Sequence, residues 1–224
     1  WDTTYTESSD GSWINEPVKL IPRMRDWVNA HYPGTKLAIT EYNWGALNHI
    51  NGALAQADSL GIFGREGLDL ATLWDIPTLT QPGMFAFRMF RNYDGAKKKF
   101  GDKSVTATST DYDQLSVYAA RRSSDNALTI IAVNKTTRTL SSSLTVTGGR
   151  NGAVKVFQYA GANPNAIEQK ADLILSNGAV TVDFAPLSIT LLVVPSSALL
   201  ASRPGASETT TPQWGTVTSK NPFI

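Results

Sequence analysis

The stretch Leu37-Ala38-Ile39-Thr40-Glu41-Tyr42-Asn43-Trp44-Gly45 places a carboxylate where a short apolar segment gives way to aromatic and amide side chains. Cleaving a glycosidic bond needs those residue types: a carboxylate at the anomeric carbon, aromatic platforms beneath the rings, and amides or hydroxyls to orient both. A glutamate at a strand end has a plainer use, capping the next turn or pairing with a surface cation. On position alone the two readings are evenly balanced. Trp44 and Tyr42 beside Glu41, and Trp74 at the end of the next apolar segment, tip the balance toward a sugar cleft. Two tryptophans on one rim of adjacent strands are hard to account for as core alone.

The other acidic residues fit chemistry less well. Asn15-Glu16-Pro17 imitates the Asn-Glu pair that supplies the acid in many barrel glycosidases. There the pair closes the fourth strand, three βα units before the nucleophile, whereas Glu16 stands where a helix begins and complements its dipole. Asp2, Asp75 and Asp94 read as loop caps, and Asp111-Tyr112-Asp113 lacks the remaining spacing of a calcium loop. No cofactor is expected. Lys97-Lys98-Lys99 reads as a solvated run between domains.

These residues need elements to position them. Leu20, Ile21, Met24, Trp27, Val28 and His31 recur at helical spacing, with Asn15 as a cap and Pro22 near the start. Lys36–Thr40 reads as a buried strand with Glu41 at its C-terminal end. Ile50, Ala53, Leu54, Ala57 and Leu60 form a second helical face, closed by Gly61, Gly64 and Gly67. Leu68–Trp74 is a second buried strand, broken by Asp75-Ile76-Pro77, and a third helix ends near Asn92. Near-continuous apolar strands alternating with helices are βα units of a parallel sheet, whose chemistry lies at the C-terminal ends of the strands. A closed barrel takes eight units in about 250 residues, so two units cannot close one.

From residue 104 the pattern becomes antiparallel. Strands are expected at 105–109, 114–121, 127–134, 140–147, 154–159, 173–175, 180–184 and 188–194, with turn signals at 123–126, 148–152 and 177–178. Seven or eight short strands so spaced predict a β-sandwich. The expected organisation is thus residues 1–95 as the last βα units of a (β/α)8 barrel, 96–195 as a β-sandwich, and 196–224 as a linker-like tail.

Composition removes whole classes. The 224 residues hold 20 Lys plus Arg against 19 Asp plus Glu, a net charge of +1 that offers no basic field for nucleic acid or a membrane surface. No apolar run reaches the roughly 18 residues of a spanning helix. Without cysteine there is no disulfide scaffold, thiol catalysis or Cys-ligated metal. Two histidines, His31 and His49, without an HExxH pattern argue against a zinc hydrolase. The 42% hydrophobic content is that of a globular protein. Trp1-Asp2 reads like the middle of a longer sequence, without start methionine or signal peptide.

Several linked motifs, in order, resemble glycoside hydrolase family 44. They are Trp13-Ile14…Glu16-Pro17, Leu20-Ile21-Pro22-Arg23, Tyr32–Leu37, Ile39–Gly45, Ala55–Asp58, Leu60–Gly67 and Phe90–Gly95. The resemblance runs from Trp1 to about Pro195. It implies a retaining, secreted, microbial endo-β-1,4-glucanase, active on β-glucans such as xyloglucan, built as a (β/α)8 barrel with an attached β-sandwich. It also implies that Glu41 is the nucleophile at the end of barrel strand seven, that Trp74 after strand eight lines the cleft, and that Trp1 is a further sugar platform. The general acid/base of strand four has no counterpart here, so this chain alone is expected to be inactive and to be partnered by the remaining N-terminal part of the barrel. Two other readings stay open: a non-catalytic carbohydrate-binding or scaffolding sandwich, supported only by Tyr112, Tyr118, Phe157, Tyr159 and Phe184, and a non-functional fragment.

Overall fold

A computed structural model describes residues 4–6, 15–199 and 217–220, the last four as backbone only. The described chain is mostly β with few helices. It divides into two compact units, Trp1–Asn43 with Ile62–Ile76, and Trp44–Gly61 with Pro77–Ile224.

The larger unit is organised around a six-stranded sheet in the order β3-β5-β6-β11-β8-β9. Its strands are Lys103–Val105 (β3), Leu115–Arg121 (β5), Leu128–Asn134 (β6), Gly152–Ala160 (β8), Asn163–Leu175 (β9) and Ser188–Val194 (β11), paired antiparallel throughout. Every residue of β6 and β11 is buried. Two-sided burial follows from two partners. On one face, Val117, Ile130, Val156 and Leu192 share a core with Leu144 and Val146 of β7 (Leu140–Val146) and Val182 and Phe184 of β10 (Ala179–Phe184). Those two strands belong to a second sheet, ordered β10-β7-β12-β4, with β4 at Ala107–Ser109 and β12 at Val217–Lys220.

On the opposite face lie helix α3 (Pro82–Arg91) and the first turns of α2 (Ile50–Arg65). Phe85 of α3 stacks on Tyr159 at 4.8 Å with the rings 6° from parallel, and Tyr93 meets Phe157 at 4.7 Å. Gly61 is required where α2 crosses β5, because a Cβ there would stand 2.4 Å from the Tyr118 ring. Asp58, one turn earlier, accepts hydrogen bonds from the Ser116 and Tyr118 hydroxyls and from Lys135 Nζ at 2.8 Å. Arg122 donates to both Asp125 carboxylate oxygens (2.9 and 2.8 Å), to the Tyr93 hydroxyl and to the Lys99 carbonyl (both 2.7 Å).

The smaller unit contains helix α1 (Leu20–His31) and the parallel pair β1 (Ala38–Tyr42) and β2 (Leu70–Leu73). Arg25 of α1 donates to the Gly67 carbonyl at 2.7 Å and stands 3.5 Å from Asp69, whose carboxylate accepts the Leu37 amide at 2.8 Å. That amide, and Arg25 after it, hold the Asp69 carboxyl below its ordinary value.

Several sequence expectations change. Helix α1 starts at Leu20 behind Lys19 in a left-handed conformation (φ 39°), so Asn15 is not its cap. Its predicted apolar face is largely in water: Ile21 is buried, whereas Leu20 and Trp27 are 58% and 54% exposed. Strands β1 and β2 are half-buried and exposed rather than buried, because the described sheet has only these two strands. Helix α2 runs through Gly61 and Gly64; at Gly61 the glycine faces the packed Tyr118 ring and favours the helix by fit more than it weakens it by flexibility, while a Cβ at Gly64 would meet nothing within 4 Å. The segment read as one strand at 105–109 is two, β3 and β4, in different sheets. Strand β9 is far longer than 173–175, its polar residues marking a sheet edge with little face to bury. Within the expected tail, Val217–Lys220 pairs with both β4 and β7; four residues are too few to reveal a period.

Replacing Asp58 by alanine is expected to destabilise the larger unit by about 2–3 kcal/mol, since three donors lose one half-buried acceptor. A lowered urea midpoint at unchanged slope would register it. The Arg122 guanidinium holds the Asp125 carboxyl below its ordinary value. A depressed carboxylate contributes stability that is full above its unfolded pKa of about 4 and is lost as pH falls through the folded value. Because 49% of the Asp125 side chain is in water, Asp125→Asn is expected to cost about 1 kcal/mol or less at pH 7. In urea titrations that difference should vanish as pH falls through the lowered pKa.

Candidate functional site

The geometry around Glu41 begins with how β1 meets β2. Ala38 pairs with Leu70 and Ile39 with Ala71, but the next partners are Tyr42 and Leu73. Between these pairs β1 has two residues, Thr40 and Glu41, where β2 has one, Thr72. The extra residue is a β-bulge, and its effect is visible in the burial. Side chains of a regular strand alternate between faces, which would put Ile39 and Glu41 on one face and Tyr42 on the other. With the bulge, Ile39 and Tyr42 are both half-buried, as are their partners Ala71 and Leu73, while Thr40 and Glu41 are exposed. The bulge moves the carboxylate off the apolar face one residue before the strand ends. A bulge re-aiming a side chain is a recurrent device near functional sites.

Beyond the bulge the two strands are tied again. The Trp74 amide donates to the Tyr42 carbonyl at 2.9 Å, and the Asn43 side-chain amide donates to Asp75 Oδ2 at 3.1 Å. Before Glu41, the Thr72 hydroxyl donates to the Thr40 carbonyl. Tyr42 packs edge-on against Phe63, with ring centroids 5.2 Å apart. At the C-terminal ends of the two parallel strands the smaller unit therefore presents an open carboxylate, Glu41, and an open indole, Trp74, which is 64% exposed.

Of the residues singled out in the sequence, Glu41 and Tyr42 lie in β1, and Trp74 directly follows β2. Tyr42 is committed in part to Phe63, so its ring serves packing as well as any ligand. Trp44 follows in the connection to α2 and is 55% exposed. Trp1 lies outside the described residues. Glu16 pairs with Arg23 of α1. Asp75 is more than the turn residue it resembles in sequence, since its carboxylate holds Asn43. Thr72 carries no signal in the sequence at all; a threonine in a strand is ordinary, and only the register reveals its position opposite the bulge.

The larger unit supplies no comparable sugar platform among the five aromatics considered. Tyr118, Phe157, Tyr159 and Phe184 are all buried, and the Tyr112 hydroxyl donates to the Ala107 carbonyl. Asp111 accepts the amides of Asp113 and Gln114. No group of three or more His, Asp or Glu among the described residues is arranged to hold a metal ion.

No protein-family model matches the chain. It is 38% identical over 197 residues to endoglucanase A of Paenibacillus lautus, a match covering 84% of this chain and 27% of that protein. Among solved structures, it is 45% identical to a bifunctional glucanase-xylanase from a metagenome library, with a TM-score of 0.79 over 86% of this chain and 37% of the other. A family 44 xyloglucanase from Paenibacillus polymyxa is 30% identical, with a TM-score of 0.76 over 87% and 39%. The chain thus spans between about a quarter and two fifths of the length of these relatives. With the ordered motifs around Glu41 and a backbone that superposes over most of its length, the chain is similar to the matching part of glycoside hydrolase family 44 enzymes.

Proposed function

We propose that this chain is the part of a retaining endo-β-1,4-glucanase that carries the nucleophile, Glu41, and that β-1,4-glucans including xyloglucan are its substrates. The observation that carries the reading is the exposed Glu41 carboxylate, turned out of the apolar face by a bulge at the C-terminal end of a parallel strand. In the reaction, a Glu41 oxygen attacks the anomeric carbon as the glycosidic bond breaks, giving a covalent glycosyl-enzyme. A second carboxyl group, roughly 5 Å away, protonates the leaving oxygen and then deprotonates the water that releases the sugar. Nothing in the sequence matches that acid/base, so it is assigned to a part of the barrel outside this chain. Trp74, open directly after the following strand, is assigned to a sugar subsite, with Tyr42, Trp44 and Trp1 as further contacts.

Two features support the division of labour. The relatives are two and a half to four times longer than their match here. The smaller unit also leaves Leu20, Trp27 and Leu70 more than half exposed, which further barrel units would cover. On this reading residues 1–95 supply the last βα units of a (β/α)8 barrel and the strands after them an attached sandwich. A neutral polysaccharide substrate places the intact enzyme outside the cell, with no cofactor required.

On a soluble β-glucan, the full-length protein containing residues 1–224 should release reducing ends, and residues 1–224 alone should not. Glu41→Gln in the full-length protein should lower kcat at least about a thousandfold with its melting unchanged. A Glu41→Gln protein that keeps its activity, or activity in residues 1–224 alone that survives this change, would sink the assignment. Trp74→Ala should reduce kcat/KM about tenfold, equivalent to about 1.4 kcal/mol of lost sugar contact; an unchanged value would remove Trp74 from the cleft.

A further inference from the structure

The bulge raises a question of control. An extra residue disrupts the ladder locally, and a carboxylate that must attack one carbon needs its backbone fixed to a fraction of an ångström. Two peptide groups around Glu41 have tied carbonyls: the one joining Thr40 to Glu41, directly before it, and the one joining Tyr42 to Asn43, one residue beyond it. Both are bound to β2, but by different means. The second is held by a main-chain bond, from the Trp74 amide to the Tyr42 carbonyl. The first is held by a side chain, because the Thr72 hydroxyl donates to the Thr40 carbonyl. Rotation of that peptide swings the nitrogen of Glu41 and with it the whole side chain.

We propose that Thr72 is a positioning residue for the Glu41 carboxylate, acting through the Thr40 carbonyl; the proposal rests on the assignment of Glu41 as nucleophile. Thr72 is the single β2 residue facing the two-residue bulge. A hydroxyl on a β-branched residue suits the task. The branched side chain has few χ1 choices in a strand, and the hydroxyl reaches across the gap that the extra residue opens. Asp75 completes the brace from the other side by holding Asn43, which leaves Glu41 between two tied points.

The role separates from packing by the choice of replacement. Thr72→Val keeps the shape and the branching and removes only the donor; Thr72→Ser keeps the donor and removes a methyl group. In the full-length protein on a soluble β-glucan, Thr72→Val is expected to lower kcat about tenfold with KM within about twofold, and Thr72→Ser to stay within about twofold of wild type in both. If the valine protein loses its cooperative melt, Thr72→Ala compared with Thr72→Ser carries the same contrast. A valine protein with wild-type kcat, a serine protein as impaired as the valine one, or a loss confined to KM would each overturn the proposal. Failure of the underlying assignment shows separately, as a Glu41→Gln protein that remains active.

Discussion

The architecture of the larger unit depends on burying both faces of the β6–β11 ladder. A strand pair covered on one side can place polar residues on the other, and β7 and β10 do so, alternating buried with exposed positions. Strands β6 and β11 cannot. Ile130 and Leu192 look toward one partner sheet, Ile131 and Leu191 the other way, and all four are fully buried. Polar groups survive in this layer only where their hydrogen bonds are met: Asn134 donates to three carbonyls, and Thr129 joins the Ala120 carbonyl to the Gly101 amide. The packing of α3 through Phe85, and the passage of α2 over Tyr118 at Gly61, follow from the need to cover that second face.

The smaller unit lives under the opposite condition. Its parallel pair is covered incompletely, and local hydrogen bonds hold what packing does not. Arg25, Asp69 and Leu37 fix the start of β1, while Trp74, Asn43 and Asp75 fix its end. Between these ties the register slips by one residue at the carboxylate. The backbone around Glu41 is therefore held by a few named bonds rather than by a dense core.

How far the sequence revealed this depended on what kind of information each feature leaves in it. Helix α3 and most antiparallel strands were legible because periodicity reports burial directly, whereas in α1 the period marked the helix but not the burial of its apolar face. Glu41 and Trp74 were legible because an unusual residue type stood at a strand end. The resemblance to family 44, too, could be read from ordered motifs around them. The bulge could not be read, since one extra residue in a five-residue strand leaves the composition unchanged and only pairing with β2 exposes it. Thr72 was silent for the same reason. Gly61 misled as a helix stop because the ring that requires it, Tyr118, is remote in sequence. Strand β9 was underestimated because an edge strand buries too little to show a pattern.

Strand order also has a temporal meaning. In the six-stranded sheet, β11 sits between β6 and β8 and is the last of the six in the chain. During synthesis the β5–β6 and β8–β9 hairpins emerge first, each with an edge that nothing yet covers. They cannot join until residues 188–194 leave the ribosome and insert between them. Nucleation of the central layer therefore waits on its final strand, and the interval between hairpin formation and that insertion is when unpaired edges invite association with other chains.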